Sequence, residues 1–133
     1  MRALVIPLGE DLYAVDMLAV REVVAAPRPT PLPTGPANAL GVFNLRGEIV
    51  PLFDTALLLG LHAVSRIAFA VVIESALGFA GLVATDTPES VELGEVLATA
   101  DATAGRALYA VADRVAALLD VETLLAPARI GAG

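Results

Sequence analysis

Two aspartates at the ends of apolar runs are the first residues in this sequence whose types and spacing fit a reaction. Asp54 follows Leu52-Phe53 and Asp120 follows Leu118-Leu119. Two carboxylates that share a proton are the working parts of a pseudo-two-fold aspartic protease. Such a site wants Asp-Thr/Ser-Gly in each half, whereas Asp54-Thr55-Ala56 and Asp120-Val121-Glu122 stand here. Each aspartate also precedes a helix-compatible segment, where an N-cap carboxylate accepts a backbone N–H of the first turn. Capping is the expected role of both, and protease chemistry on Asp54 and Asp120 ranks below it.

The other candidates for chemistry are weaker. His62 is the only histidine, and a triad or metal site built on it would draw every other member from distant carboxylates. Ser65, Ser75 and Ser90 lack a nucleophile-elbow context. The acidic residues are dispersed and match no calcium loop. No catalytic residue, metal or cofactor is expected. Arg46 is of more interest, because Glu22 offers a carboxylate inside the apolar strand Val20-Arg21-Glu22-Val23. A guanidinium and a carboxylate can pair through two parallel hydrogen bonds, which orients a surface for recognition.

The elements that must carry these residues are short strands. Val42, Phe43 and Leu45 precede Arg46-Gly47-Glu48, and Ile49, Val50, Leu52 and Phe53 follow, which reads as a hairpin around a glycine-containing turn. Asp54 then opens a short helix that closes on Gly60. Upstream, Leu4–Leu8 and Leu12–Val15 form a hairpin, Asp16 caps a helical turn at Met17-Leu18-Ala19, and Val20–Val24 is extended. Pro27 to Pro36 holds five prolines in ten residues and is expected to be an extended connector. A proline-rich ligand for an SH3-like partner would want a basic cluster beyond Arg28. Downstream, Ile67–Ile73 with Gly78–Ala84 and Arg106–Ala112 with Val115–Leu119 form hairpins. Ser90–Leu93 is a short strand, Gly94–Gly105 a connector with a helical turn near Glu95-Val96-Leu97, and Asp120 caps a helix that Pro127 stops. The chain is predominantly β.

Composition narrows the function further. With 133 residues the chain is one domain or two small subdomains that share a core. Hydrophobic residues make up 57% and mean hydropathy is +0.78, so a membrane span must be considered. The window Ile67 to Thr85 holds only Glu74 as a charge. A carboxylate at a helix centre costs about 2.5–3.5 kcal/mol on insertion, and Ser75-Ala76-Leu77-Gly78 breaks the run, so two buried strands are predicted. The first residues are too short an apolar segment for a signal peptide, and a cytoplasmic protein is expected. There is no cysteine, which excludes disulfides and thiolate metal sites. All eight basic residues are arginine, which excludes Schiff-base lysine chemistry and a phosphate loop with its lysine. The net charge of −7 argues against a nucleic-acid partner.

A shift of 66 residues lays one half of the chain over the other. Val42-Phe43 falls on Leu108-Tyr109, Leu52-Phe53-Asp54 on Leu118-Leu119-Asp120, and Leu58-Leu59 on Leu124-Leu125. At the same shift Val5 falls on Val71 and Tyr13 on Phe79. Two pseudo-equivalent β subdomains follow, roughly residues 1–66 and 67–133, each too small to be stable alone. Asn44, Arg46 and Gly47 lie opposite Ala110, Ala112 and Asp113, so the polar marks of the first hairpin do not recur.

Gly41-Val42-Phe43-Asn44-Leu45-Arg46-Gly47-Glu48-Ile49-Val50-Pro51-Leu52-Phe53-Asp54 resembles the Gly-x-x-Asn-Leu-Arg-Gly…hydrophobic-Pro-x-x-Asp segment of CheW-like proteins, the adaptors of bacterial chemotaxis. Leu12–Asp16, Val20–Val23, Leu32-Pro33 with Pro36, and Leu118–Leu125 resemble other segments of that family, so the likeness covers almost the whole chain. The resemblance implies two intertwined five-stranded SH3-like β-barrels in a single CheW-like domain, residues 1–133. It implies no enzymatic activity. The family bridges chemoreceptor cytoplasmic tips and the regulatory domain of a CheA-type histidine kinase, on membrane-associated arrays without membrane insertion. It implies a partner-binding region at Val20, Glu22, Gly41, Asn44, Leu45, Arg46 and Gly47. The Leu93–Arg106 segment looks short and little tail is expected at either end. A divergent adaptor of twitching motility or another chemosensory pathway fits the same pattern, and a ligand-binding β-barrel with a cavity between the subdomains ranks lower.

Overall fold

The computed structural model describes residues 1–100, 106–126 and 130. Among the described residues the elements follow in order: β1 (Arg2–Leu8), β2 (Asp11–Asp16), β3 (Val20–Ala25), β4 (Ala39–Leu45), β5 (Glu48–Phe53), α1 (Thr55–Leu58), β6 (Phe69–Ser75), β7 (Gly78–Ala84), β8 (Glu89–Glu92), β9 (Val96–Ala100), β10 (Arg106–Val111), β11 (Arg114–Leu118) and α2 (Val121–Leu124). A 3-10 turn at Met17–Ala19 joins β2 to β3, and the Asp16 carboxylate accepts from Leu18 N at 3.0 Å.

The strands make two sheets, and each sheet takes strands from both halves of the chain. One runs β8-β1-β2-β11-β10-β9 and the other β3-β6-β7-β5-β4. Their orders correspond strand for strand, down to the single parallel contact in each, β11 with β2 and β5 with β7. The register corrects the simple repeat. The later hairpins match at a shift of 66, since Leu45↔Glu48 corresponds to Val111↔Arg114. The earlier ones match at 67, since Leu8↔Asp11 corresponds to Ser75↔Gly78. Val5 therefore corresponds to Val72 rather than Val71, and Tyr13 to Ala80 rather than Phe79. One residue changes everything in a strand, because it moves each side chain to the opposite face.

Burial follows this register. Val71 and Ile73 of β6 point between the sheets, where they join Leu4, Ile6, Val15, Phe53, Leu58, Leu82 and Leu119. Ala70 and Val72 point the other way, into the five-stranded sheet's own core with Phe43, Val50, Leu52 and Val83. Both faces of β6 are buried, which is why its sequence is apolar without alternation. A wholly buried side chain such as Ile73 contributes about 2–3 kcal/mol. The six-stranded sheet has a smaller core of Ala3, Ala14, Leu93 and Ala116. The space between the sheets is occupied by the apolar side chains of this cluster. The apolar 67–85 window is the β6–β7 hairpin, and among the described residues no helix is long and apolar enough to cross a membrane.

Two stretches differ from expectation. Glu95-Val96-Leu97 is not a helical turn; Val96–Ala100 is β9, paired antiparallel with β10 and bulged at Leu108/Tyr109. It gives its sheet a sixth strand. Residues 101–105 of the expected connector and the helix-stopping Pro127 lie outside the described residues. The counterpart of β9 in the other sheet is the proline-rich segment, reduced to one bridge: Thr30 N donates to Val42 O at 2.7 Å and Val42 N to Thr30 O at 2.9 Å. Pro29 and Pro31 lack an N–H, so no ladder can extend on either side of Thr30.

Candidate functional site

The site begins at the turn between β4 and β5. Leu45 pairs with Glu48, which leaves Arg46-Gly47 as a two-residue hairpin loop. Arg46 has φ 49° and Gly47 has φ 91°, the positive pair that matches the twist of a tight hairpin. Gly47 takes that conformation without the Cβ clash of other residues. The Asn44 side-chain oxygen accepts from Gly47 N at 2.8 Å and fixes the loop, while Leu45 packs half-buried on the core of the five-stranded sheet.

The turn aims Arg46 at Glu22 on β3. Nη1 donates to Glu22 Oε2 at 3.2 Å and Nη2 donates to Oε1, a two-pronged fork. β3 and β4 are the two edges of the five-stranded sheet, so the fork ties one edge to the hairpin on the other. The guanidinium is 73% exposed and the carboxylate 26% exposed. The hydrogen bond from Arg46 to Glu22, and then the charge of Glu22, raise the Arg46 guanidinium above its ordinary value, so it stays cationic wherever the protein is folded. A pair this open to water adds little stability, and what it offers is a fixed charge pattern.

The structure brings Glu22, Asn44, Leu45, Arg46 and Gly47 together, with Val20 nearby. Val20 is half-buried at the start of β3, opposite Ile73, and packs on the core between the sheets. Gly41 is buried with φ 140°, and a Cβ there would lie 2.2 Å from Thr30 O. Its place is under the proline-rich strap, where it seats Thr30 rather than facing outward. A residue not singled out from sequence is Arg21, the extra residue of a bulge between Val20 and Glu22. Its guanidinium lies 5.3 Å from the Phe79 ring centroid and 3.9 Å from Glu74. The signal was present as a charged residue beside Glu22 in an otherwise apolar strand.

The aspartates do not form a dyad. Asp54 is 1% exposed; Oδ1 accepts from Leu57 N at 3.1 Å and Oδ2 from Val64 N at 3.0 Å, which caps α1 and pins the following loop. Asp120 is exposed and accepts from Glu122 N and Thr123 Oγ1, each at 3.1 Å. Both carboxylates are committed to helix N-termini, so the protease reading falls. His62 is an exposed loop residue.

Apolar cores, capping carboxylates and an exposed, two-pronged ion pair define a β protein suited to recognition rather than reaction. The chain belongs to the CheW-like domain family, whose model matches residues 2–129 and whose members are non-catalytic scaffolds. The chemotaxis protein CheW of Klebsiella aerogenes is 28% identical over 135 residues, covering 92% of this chain and 80% of that protein. Those of Treponema pallidum and Rhizobium meliloti are 45% and 41% identical over 47 and 56 residues, 35% and 42% of this chain. These two matches span only 28% and 36% of the relatives' own lengths. The crystal structure of scaffolding protein TtCheW from Thermoanaerobacter tengcongensis shares the fold, with a TM-score of 0.77 at 22% identity over 94% of this chain and 92% of that one.

Proposed function

We propose that this chain is a single adaptor unit of two intertwined β subdomains that couples chemoreceptor cytoplasmic tips to the regulatory domain of a CheA-type histidine kinase. It works on the cytoplasmic side, recruited to receptor arrays. The observation that carries this is the Glu22–Arg46 fork, presented in the open by a turn that Asn44 and Gly47 hold rigid. A rigid, forked charge pair loses little entropy when a partner docks on it. Val20, Leu45 and the strap over Gly41 support the surface around it.

Isothermal calorimetry of the chain with the cognate kinase regulatory domain tests the proposal. Saturable binding is expected, and an Arg46→Ala variant should bind about tenfold more weakly, a factor worth 1.4 kcal/mol of binding, with an unchanged melting temperature. An absence of binding by the wild-type chain at high micromolar concentration would count against the adaptor role. Unfolding of the Arg46→Ala variant would make Arg46 structural and remove it from the recognition surface.

A further inference from the structure

We propose that Glu89 is a second guanidinium acceptor, one that takes its arginine from a cationic partner protein rather than from this chain. This goes beyond the adaptor reading, because it assigns a surface on the other sheet and does not depend on what meets Arg46.

The internal repeat carries the argument. Glu22 lies opposite Val72 in the β3–β6 ladder, and Glu89 lies opposite Val5 in the β8–β1 ladder. Val5 corresponds to Val72 at the shift of 67, so Glu89 occupies the position of Glu22. The turn that supplies Arg46 in one sheet supplies Ala112 in the other, with nearly the same backbone: φ is 49° at Arg46 and 53° at Ala112. In the five-stranded sheet the carboxylate therefore holds a guanidinium of its own chain. In the six-stranded sheet the same carboxylate corresponds to a turn whose side chain is a methyl group. Among the described residues no ion pair to Glu89 is found.

Charge points to the same partner. Residues 17–85, which contain the five-stranded sheet, hold four arginines and four carboxylates and are neutral. Residues 1–16 and 86–133, which contain the six-stranded sheet, hold four arginines and eleven carboxylates, the whole net charge of −7. Hydrogen bonds draw some of these to one end of the sheet: Thr85 N donates to Pro7 O at 2.9 Å, Gly9 N to Thr85 Oγ1 at 2.8 Å, and Arg114 Nη2 to the Glu10 carbonyl. Glu10, Asp11, Asp86, Glu89 and Asp113 are exposed there, with Arg114 already engaged. Such a field steers a cationic surface toward it. The Arg46 fork shows which cation the Glu89 position accommodates, since a planar guanidinium matches a carboxylate through two bonds and an ammonium does not. A second copy is a poor occupant, because each copy carries −7 and offers only a neutral opposite face.

The test is an NMR titration of the full chain, labelled with nitrogen-15, with an oligoarginine and an oligolysine peptide of equal length. Oligoarginine should bind more tightly than oligolysine and perturb the amides of residues 86–92 and 110–115. Glu89→Gln and Ala112→Arg, the second of which gives Glu89 an internal arginine, should each weaken oligoarginine binding about tenfold, a factor worth 1.4 kcal/mol. Glu74→Gln, which removes an exposed carboxylate of the five-stranded sheet, should leave it unchanged. Arg46 shows that this turn position accepts arginine, and Glu89 is exposed, so both variants should keep the fold. Equal affinity for the two peptides, perturbations spread over all surface carboxylates, or wild-type binding by both variants would overturn the proposal. The assay contains no kinase domain, so its failure is separable from failure of the adaptor role.

Discussion

The hairpin turns at Arg46-Gly47 and Ala112-Asp113 stand at the same place in the two sheets and differ in what they present. Both bend through a non-glycine residue with positive φ, at 49° and 53°. A feature found in both halves belongs to the fold, so the unusual backbone of Arg46 is not itself a mark of function. The side chains tell the halves apart. Asn44 braces one turn and Arg46 forks onto Glu22, whereas Ala110 and Ala112 occupy those positions in the other. The same division holds for the caps, where Asp54 is buried and binds two backbone N–H groups while Asp120 is exposed.

That comparison can be broken at several points. The largest effect is expected at Asp54→Ala, which removes a cap and leaves the Val64 N–H without its acceptor, for a loss of about 4 kcal/mol of stability in chemical denaturation. Asp120→Ala, with its exposed cap, should lose only about 1 kcal/mol; equal losses would mean that the two caps are equivalent after all. Gly41→Ala forces a Cβ against Thr30 O and should cost about 3 kcal/mol. Its counterpart is Ala107, an alanine paired with Thr99 of β9, so the cost belongs to the proline-rich strap. Asn44→Ala should cost about 0.5–1 kcal/mol, since one exposed turn hydrogen bond is lost, and should weaken kinase binding by loosening Arg46. The smallest effect is a gain: Ala112→Gly relieves a left-handed alanine and should stabilise by about 0.5 kcal/mol after the entropy of the unfolded chain is set against it.

Much of this was legible in the sequence, for identifiable reasons. Hairpins announce themselves by turn residues between β-branched runs, and the caps by Asp before a helix-compatible segment, so β1–β7, β10, β11, α1 and α2 lie close to where the pattern puts them. The Asn-Leu-Arg-Gly turn was legible because its polar residues interrupt an apolar ladder. The repeat was legible only to within one residue. Glu89 stands 22 residues before Val111 whereas Glu22 stands 23 before Leu45, so a single shift of 66 misaligns the first hairpins and hides the match of Glu89 to Glu22. β9 was missed because Ala-, Thr- and Val-rich chain takes its strand character from pairing with β10 rather than from its own pattern. The seat of Gly41 depends on Thr30 arriving from eleven residues away in the chain, and no local pattern shows that contact.

The central claim is that Glu22 and Arg46 act as one unit in recognition and contribute little to the fold. A double-mutant cycle of Glu22→Gln and Arg46→Ala, read in parallel by calorimetric affinity for the kinase regulatory domain and by chemical denaturation, tests it directly. The expected result is strong coupling in binding, with either single variant about as weak as the double, and additive, near-zero changes in stability. Strong coupling in stability with independent effects on binding would contradict it, and would make the fork a clasp between sheet edges instead of a surface for a partner.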